Sequence, residues 1–409
     1  MTKFRCEPTV PSRSLSEDWM VSRVMHFEIS HDEHRDRYRR LQAAMADAGI
    51  DTLLSWAPEN IYYMTGYDTL GYYYPQCLIA SVDSDPALVV RHFESPNVAA
   101  QTWVTNSVGY LDHEDVAEVV AGVAAKFGTR IGTESQTWAV SPAIATHVAD
   151  RLGDRVAPLD GLVETLRLVK SSAEIGLIRQ SCRYTEAAMT AAFEASVPGA
   201  TEDDVAAAIY HRMISAGSTY PSLAQFVSSG PRTFMPHQTW SGRVLQPGDM
   251  LWFETGGSAG RYGSGLIRIG AVSEPPAENR PIIERALGVV TETLEALMAA
   301  IRPGITGAQV HQVGRAAIKA AGWGDVHRNR SGYSIGVSYP PDWGEGHIYS
   351  LQDLETRPLE AGMVFHLVPN VLIPDVAGVA ISETVLITAD GCEALTQFPR
   401  EFMQYPRAT

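Results

Sequence analysis

A chain of 409 residues, 45% hydrophobic and 19% charged, has apolar material for sizeable cores and too little charge for general disorder, and its length points to two domains. The net charge of −15 argues against nucleic acid as a partner, because phosphate binding needs a clustered basic surface. No run reaches the ~18 apolar residues of a membrane span, and the charged segment His34-Arg-Asp-Arg-Tyr-Arg-Arg40 is unlike a signal peptide, so no membrane role is expected and the cytoplasm is the expected location.

Residues 1–30 lack periodicity and read as an arm, of a kind that can pack on a partner subunit. From Tyr38 to Gly49 the pattern predicts an amphipathic helix with Leu41, Met45 and Ala48 roughly on one side and Gly49 as its cap. Asp51–Ser55, Cys77–Ala80 and Ala87–Val90 read as strands, with Asp83, Asp85 and Pro86 as turn residues. A helix near 114–127 precedes a strand around Ile131. This alternation predicts a compact α/β domain over residues 1–165. The text changes near Leu166, where Ser171 or Ser172 can cap a helix whose first turn holds Glu174; the second domain is taken as 166–409. Within it, Pro198-Gly-Ala-Thr201 returns as Pro303-Gly-Ile-Thr306. Each is a turn followed by a capping threonine, which points to a duplicated unit. The four cysteines, Cys6, Cys77, Cys182 and Cys392, form no CxxC pair and read as reduced packing residues.

Several ordered segments resemble one family. Gly248-Asp-Met-Leu-Trp-Phe-Glu-Thr-Gly-Gly257, Gly332-Tyr-Ser-Ile-Gly336, Leu359-Glu-Ala-Gly-Met-Val-Phe365 and Val385-Leu-Ile-Thr388 resemble, in order, the metal-site blocks of the creatinase/prolidase/methionine aminopeptidase ("pita-bread") superfamily. Asn60, Tyr63, Thr65-Gly-Tyr67 and Gln76 resemble its creatinase-type N-terminal domain. The resemblance implies an α/β, two-domain architecture: a smaller N-terminal α/β domain and a C-terminal pita-bread catalytic domain.

In the metal-dependent members five side chains (Asp, Asp, His, Glu, Glu) hold two cations. The matching positions here are Glu254, Gly265, Tyr333, Val368 and Ser382. Glycine and valine offer no donor, and hard divalent ions need a full set of oxygen and nitrogen ligands, so no metal and no other cofactor is expected. A single-metal site from Glu254, His366 and His237 is the alternative. The loop Ser228-Ser-Gly230 to Pro236-His237 resembles the one that carries the catalytic histidine of creatinase, which works without metal. That makes His237 the candidate proton carrier. Glu254, at the end of the apolar strand Met250-Leu-Trp-Phe253, is the candidate base, nucleophile or cation anchor, or else a structural ion pair with Arg261 or Arg268. Creatinase's two pocket glutamates match Ile267 and Val368, so creatine is not the expected substrate. The remaining expected substrate contacts are Tyr333, Tyr339, Asp342, Trp343, His366 and Glu383.

Thr65-Gly-Tyr-Asp68, Tyr339-Pro-Pro-Asp-Trp-Gly-Glu345 and the carboxylate-poor metal positions resemble the ectoine hydrolase branch. That branch implies a metal-independent hydrolase opening a C–N bond of a small cyclic amidine, acting as a homodimer. The rival readings are another amidine, guanidine or amide hydrolase, an Xaa-Pro-type peptidase with relocated metal ligands, and a non-catalytic binding member of the fold.

Overall fold

The computed structural model describes residues 29–324 and 329–405. The expected arm over 1–30, apart from its last two residues, and Cys6 lie outside the described residues. The first helix, α1 (His31–Asp47), begins seven residues before the periodicity predicts. Ser30 accepts from the Glu33 amide, and Asp32 and Glu33 occupy the first turn, so the cap and the helix dipole set the start rather than the apolar stripe.

There follow β1 (Thr52–Ser55), α2 (Pro58–Thr65), β2 (Cys77–Ser81), β3 (Ala87–Arg91), α3 (Ser95–Gln101), β4 (Asn106–Tyr110), α4 (Val116–Ala124), β5 (Ile131–Thr133), α5 (Pro142–Leu152), β6 (Val156–Pro158) and α6 (Leu162–Leu168). The strands form one mixed six-stranded sheet ordered β4-β3-β2-β1-β5-β6. Leu53, Leu78, Leu88 and Val90 enter one core with α1, whereas Leu54, Cys77, Ile79 and Val89 enter another with α4 and α5. Both faces are covered, which is why these strands read as unbroken apolar runs.

The second half opens with α7 (Ser172–Ala195), where Ser171 and Glu174 form a capping box, then α8 (Glu202–Ser215). Next come β7 (Phe226–Ser229), β8 (Met250–Thr255), β9 (Ser258–Ala259), β10 (Tyr262–Gly263), β11 (Leu266–Val272), α9 (Arg280–Ala300) and α10 (Gly307–Ala320). The chain closes with β12 (Gly332–Ser334), β13 (Ser350–Leu351), β14 (Val364–Leu367), β15 (Asn370–Ile373), β16 (Ala377–Ala380), β17 (Glu383–Ile387), β18 (Cys392–Ala394) and β19 (Met403–Tyr405). Two larger sheets result, ordered β19-β11-β8-β7 and β13-β12-β14-β17-β18, with two-stranded hairpins β9-β10 and β15-β16 beside them.

The Pro-Gly repeat is a structural one. Thr201 and Thr306 both close capping boxes. The Gly199 amide donates to the Leu245 carbonyl and the Leu245 amide to Ala200; Gly304 and Leu359 repeat this, with Leu359 donating to Ile305. The strands that follow, β8 and β14, each start after a left-handed glycine, Gly248 and Gly362, both at φ 93°. The two copies build the two larger sheets, and the candidate site lies where β8 and β11 approach β12, β14 and the start of β17.

Candidate active site

The pocket is assembled from strand ends. Glu254, near the end of β8, stands opposite Phe226 of β7 and Ile267 of β11, three residues on one face of the sheet. Its carboxylate forms no hydrogen bond or ion pair among the described residues. Burial, and secondarily the Asp342 carboxylate, push its pKa up to about 8. The expected structural partners are engaged elsewhere. Arg268 pairs with Glu383 at 2.7 Å. Arg261 donates to the Ser338 and Tyr220 carbonyls and to Ser222, and it lies over the Tyr220 ring.

Opposite Glu254, β12 and β14 pair Tyr333 with His366, and Ser382 enters from the start of β17. The Tyr333 hydroxyl meets His366 Nδ1 at 2.8 Å and receives a bond from Trp343 Nε1 at 3.0 Å. His366 Nε2 meets Ser382 Oγ at 2.7 Å, and Ser382 Oγ also accepts from the Ile267 amide. Burial holds the His366 imidazole down to about 3, so it is neutral; burial and the nearby Glu254 push the Tyr333 phenol well above its ordinary range. Arg330 stacks on the Tyr333 ring, 4.3 Å from its centroid.

Trp343 is buried, and its ring packs against Phe226 at 5.6 Å. A Cβ at Gly256 would come within 2.8 Å of that ring. The loop 339–345 therefore turns Tyr339, Trp343 and Glu345 into the interior and leaves Pro341 and Asp342 at the surface. His237 sits at the rim, exposed, in the left-handed region at φ 58°, which histidine tolerates better than most residues. Its ring meets Phe226 at 5.5 Å, so Phe226 is the side chain shared by His237, Trp343 and the cross-strand position of Glu254.

Three of the expected substrate contacts are engaged within the protein. Glu383 faces away from the pocket: its carboxylate binds Arg268, Arg400 and Thr396, because it alternates with Ser382 and Thr384 along β17. His366 is fully buried with both ring nitrogens engaged, one by Tyr333 and the other by Ser382. Tyr339 gives its hydroxyl to Asp68 at 2.8 Å and packs on Tyr62 and Tyr72, at the junction with the first half. Asp342 stays exposed, its Oδ1 accepting from the Gly344 amide. Sequence reasoning did not single out Phe226 or the positioning role of Ser382. The period-2 alternation that places Ser382 with His366 was the available signal.

The residues at the five metal-type positions do not fit a pair of cations. At Gly265 a Cβ would lie 2.6 Å from His366 Nδ1, so the imidazole fills the space a second carboxylate would need. Val368 has no donor, and Ser382 and His366 already satisfy one another. Among the described residues, the only group of three possible ligands with atoms close enough for one ion is Asp115, Glu118 and His147 on the first domain's surface; Glu254, His366 and His237 do not converge.

Comparison with known proteins agrees with this architecture. The profile of metallopeptidase family M24 matches residues 176–389, more than half of the chain, and that of the creatinase/prolidase N-terminal domain matches 37–169. The ectoine hydrolase of Halomonas elongata is 28% identical over 91% of this chain and 97% of its own length. The Xaa-Pro dipeptidase of Pyrococcus furiosus is 25% identical over 90% of this chain and all of its own. The solved Xaa-Pro dipeptidase of Bacillus anthracis, 24% identical, superposes with a TM-score of 0.78 over 91% of this chain and 99% of its own, which speaks to the fold. Among the described residues no helix is long and apolar enough to cross a membrane. With that architecture and that length of match, the chain is a member of metallopeptidase family M24, a hydrolase family, carrying a creatinase/prolidase N-terminal domain ahead of the M24 unit.

Proposed function

We propose that this protein hydrolyses a C–N bond of a small cyclic amidine of the ectoine type, without metal. The observation that carries the reading is Glu254: one buried carboxylate, held near 8 by burial and unpartnered among the described residues, in a pocket whose metal-type positions are Gly265, Tyr333, Val368 and Ser382. Such a group needs a cation to ionise against, and an amidinium supplies it. Its carbon is already electrophilic, so no Lewis acid is required. Glu254 pairs with the amidinium, then attacks the carbon or directs water to it. Where water attacks, the C–N bond of the ring breaks, the departing nitrogen takes a proton through His237 at the rim, and the carbon leaves as an amide carrying the water's oxygen. Where Glu254 attacks, the same ring bond breaks with the carbon bound to the Glu254 oxygen, and a water then cleaves that bond, releasing the amide and restoring the carboxylate. Trp343 forms the apolar wall beside the ring.

The reading includes a cytoplasmic homodimer. Leu70 and Tyr73, 65% and 70% exposed, mark a face beside the Asp68 junction where a second copy can sit.

Incubating chelator-treated protein with ectoine decides the substrate class: the ring-opened N-acetyl product is expected, and its absence sinks the assignment. Glu254→Gln should lose at least ~10³-fold in kcat, on the scale of losing a group that acts in the chemical step. Cleavage of Xaa-Pro dipeptides that appears only after added divalent metal would instead place the protein with the peptidases.

A further inference from the structure

The hydrogen-bonded row beneath the pocket has one proton too many, and its position can be counted. The row runs Trp343 Nε1, Tyr333 Oη, His366 Nδ1, His366 Nε2, Ser382 Oγ, Ile267 N. Both ends are obligate donors: the indole and the amide can only give their hydrogens inward. Between them, the phenol, the neutral imidazole and the hydroxyl carry three protons, whereas only two links remain to be filled. The surplus proton therefore belongs either to Ser382 or to Tyr333.

Ser382 is fully buried, and no acceptor other than His366 meets its Oγ among the described residues. A buried hydroxyl without an acceptor costs about 1–3 kcal/mol. Tyr333 keeps 7% of its surface exposed, and its phenol lies within electrostatic reach of the Glu254 and Asp342 carboxylates. We infer that Ser382 donates to His366 Nε2, that His366 is thereby held as the Nδ1–H tautomer donating to Tyr333, and that the Tyr333 hydroxyl proton is left pointing into the pocket as the donor to an oxygen of the ligand. Tyr333 then accepts two hydrogen bonds and offers one, a preorganised arrangement that costs no reorientation when charge develops on that oxygen. Resting on the proposed amidine hydrolysis, the oxygen is the one that becomes the amide carbonyl. Tyr333 is the catalytic donor, and His366, Ser382 and Trp343 are positioning residues.

The tautomer is read directly, without substrate, from the ring-nitrogen NMR shifts of histidine-labelled protein. A protonated Nδ1 and a bare Nε2 are expected for His366; a proton on Nε2 would overturn the inference. The role of the donor is read from Tyr333→Phe, which keeps the ring and its packing. With ectoine, kcat should fall about 10²–10³-fold, the usual cost of one such donor, while KM changes little. An unchanged kcat would also overturn it. If the parent protein leaves ectoine intact, the substrate reading has failed, and the tautomer measurement still decides this inference on its own.

Discussion

Glu254 can act on a ligand only as a carboxylate, yet burial holds its pKa near 8. The free enzyme therefore gains its active form as pH rises, and kcat/KM for a cationic substrate should climb through about pH 8 and then level. A flat profile between pH 6 and 9 would remove Glu254 from the chemistry. The same shift acts on stability. The folded state keeps a proton that the unfolded chain releases at its ordinary, lower value, so stability is lost as pH rises from that value to about 8. Glu254→Gln cannot ionise. Its Tm should exceed the parent's at pH 8.5 and match it near pH 4. At this scale the sequence was informative for a definite reason: a single acid closing an apolar strand before Gly256-Gly257 has few ways to be solvated. It placed His366 in the pocket, as a substrate contact or metal ligand, without its bonds to Tyr333 and Ser382, because a histidine's role depends on what its two nitrogens meet, and those partners lie 33 and 16 residues away.

The duplicated element explains how one site of this architecture comes to hold a lone carboxylate. Leu245 and Leu359, Gly248 and Gly362, and Glu254 and Val368 are each 114 residues apart, so the two strands β8 and β14 present equivalent positions to the pocket. One copy keeps an acid and the other has valine. The neighbouring vacancy at Gly265 is filled by the imidazole from β14, whose Nδ1 would lie 2.6 Å from any Cβ there. Gly265→Ala must therefore displace a ring tied at both ends, at a cost of about 1–3 kcal/mol, and, on the proposed chemistry, should slow hydrolysis by freeing Tyr333 from its support. A variant as stable as the parent in denaturant melts would show that His366 is not the tenant of that space. The strand patterns and the capping threonines were legible because they are local. The pairing of β12, β14 and β17 around the histidine was not, since β12 is three residues long and its neighbours are chosen by the sheet rather than by its own composition.

At the scale of the whole molecule, a buried charge cluster fastens the two halves. Glu345 lies between Arg167 and Lys170 at 2.8 and 2.9 Å. Arg167 reaches on to Asn60 of α2, whose amide binds Glu134 and Glu164. Burial opposes the charge on Glu345, but Lys170 and Arg167 overcome it and hold the carboxyl down to about 2. A lowered acid stabilises the fold above its unfolded value, and that stability is lost as pH falls toward about 2. The same loop carries Trp343 to the pocket wall, so the fastening and the site share a support. Glu345→Ala leaves two buried cations without an anion, a change that costs about 3–5 kcal/mol. It should lower Tm sharply at pH 7 and separate the melting of the two halves in calorimetry. Glu345→Gln, which keeps the shape and part of the hydrogen bonding, should fall between. Near pH 2, where Glu345 is itself becoming protonated in the folded parent, the gap between parent and Gln variant should narrow. A gap that persists unchanged at that pH would mean that packing around residue 345, rather than its charge, joins the halves.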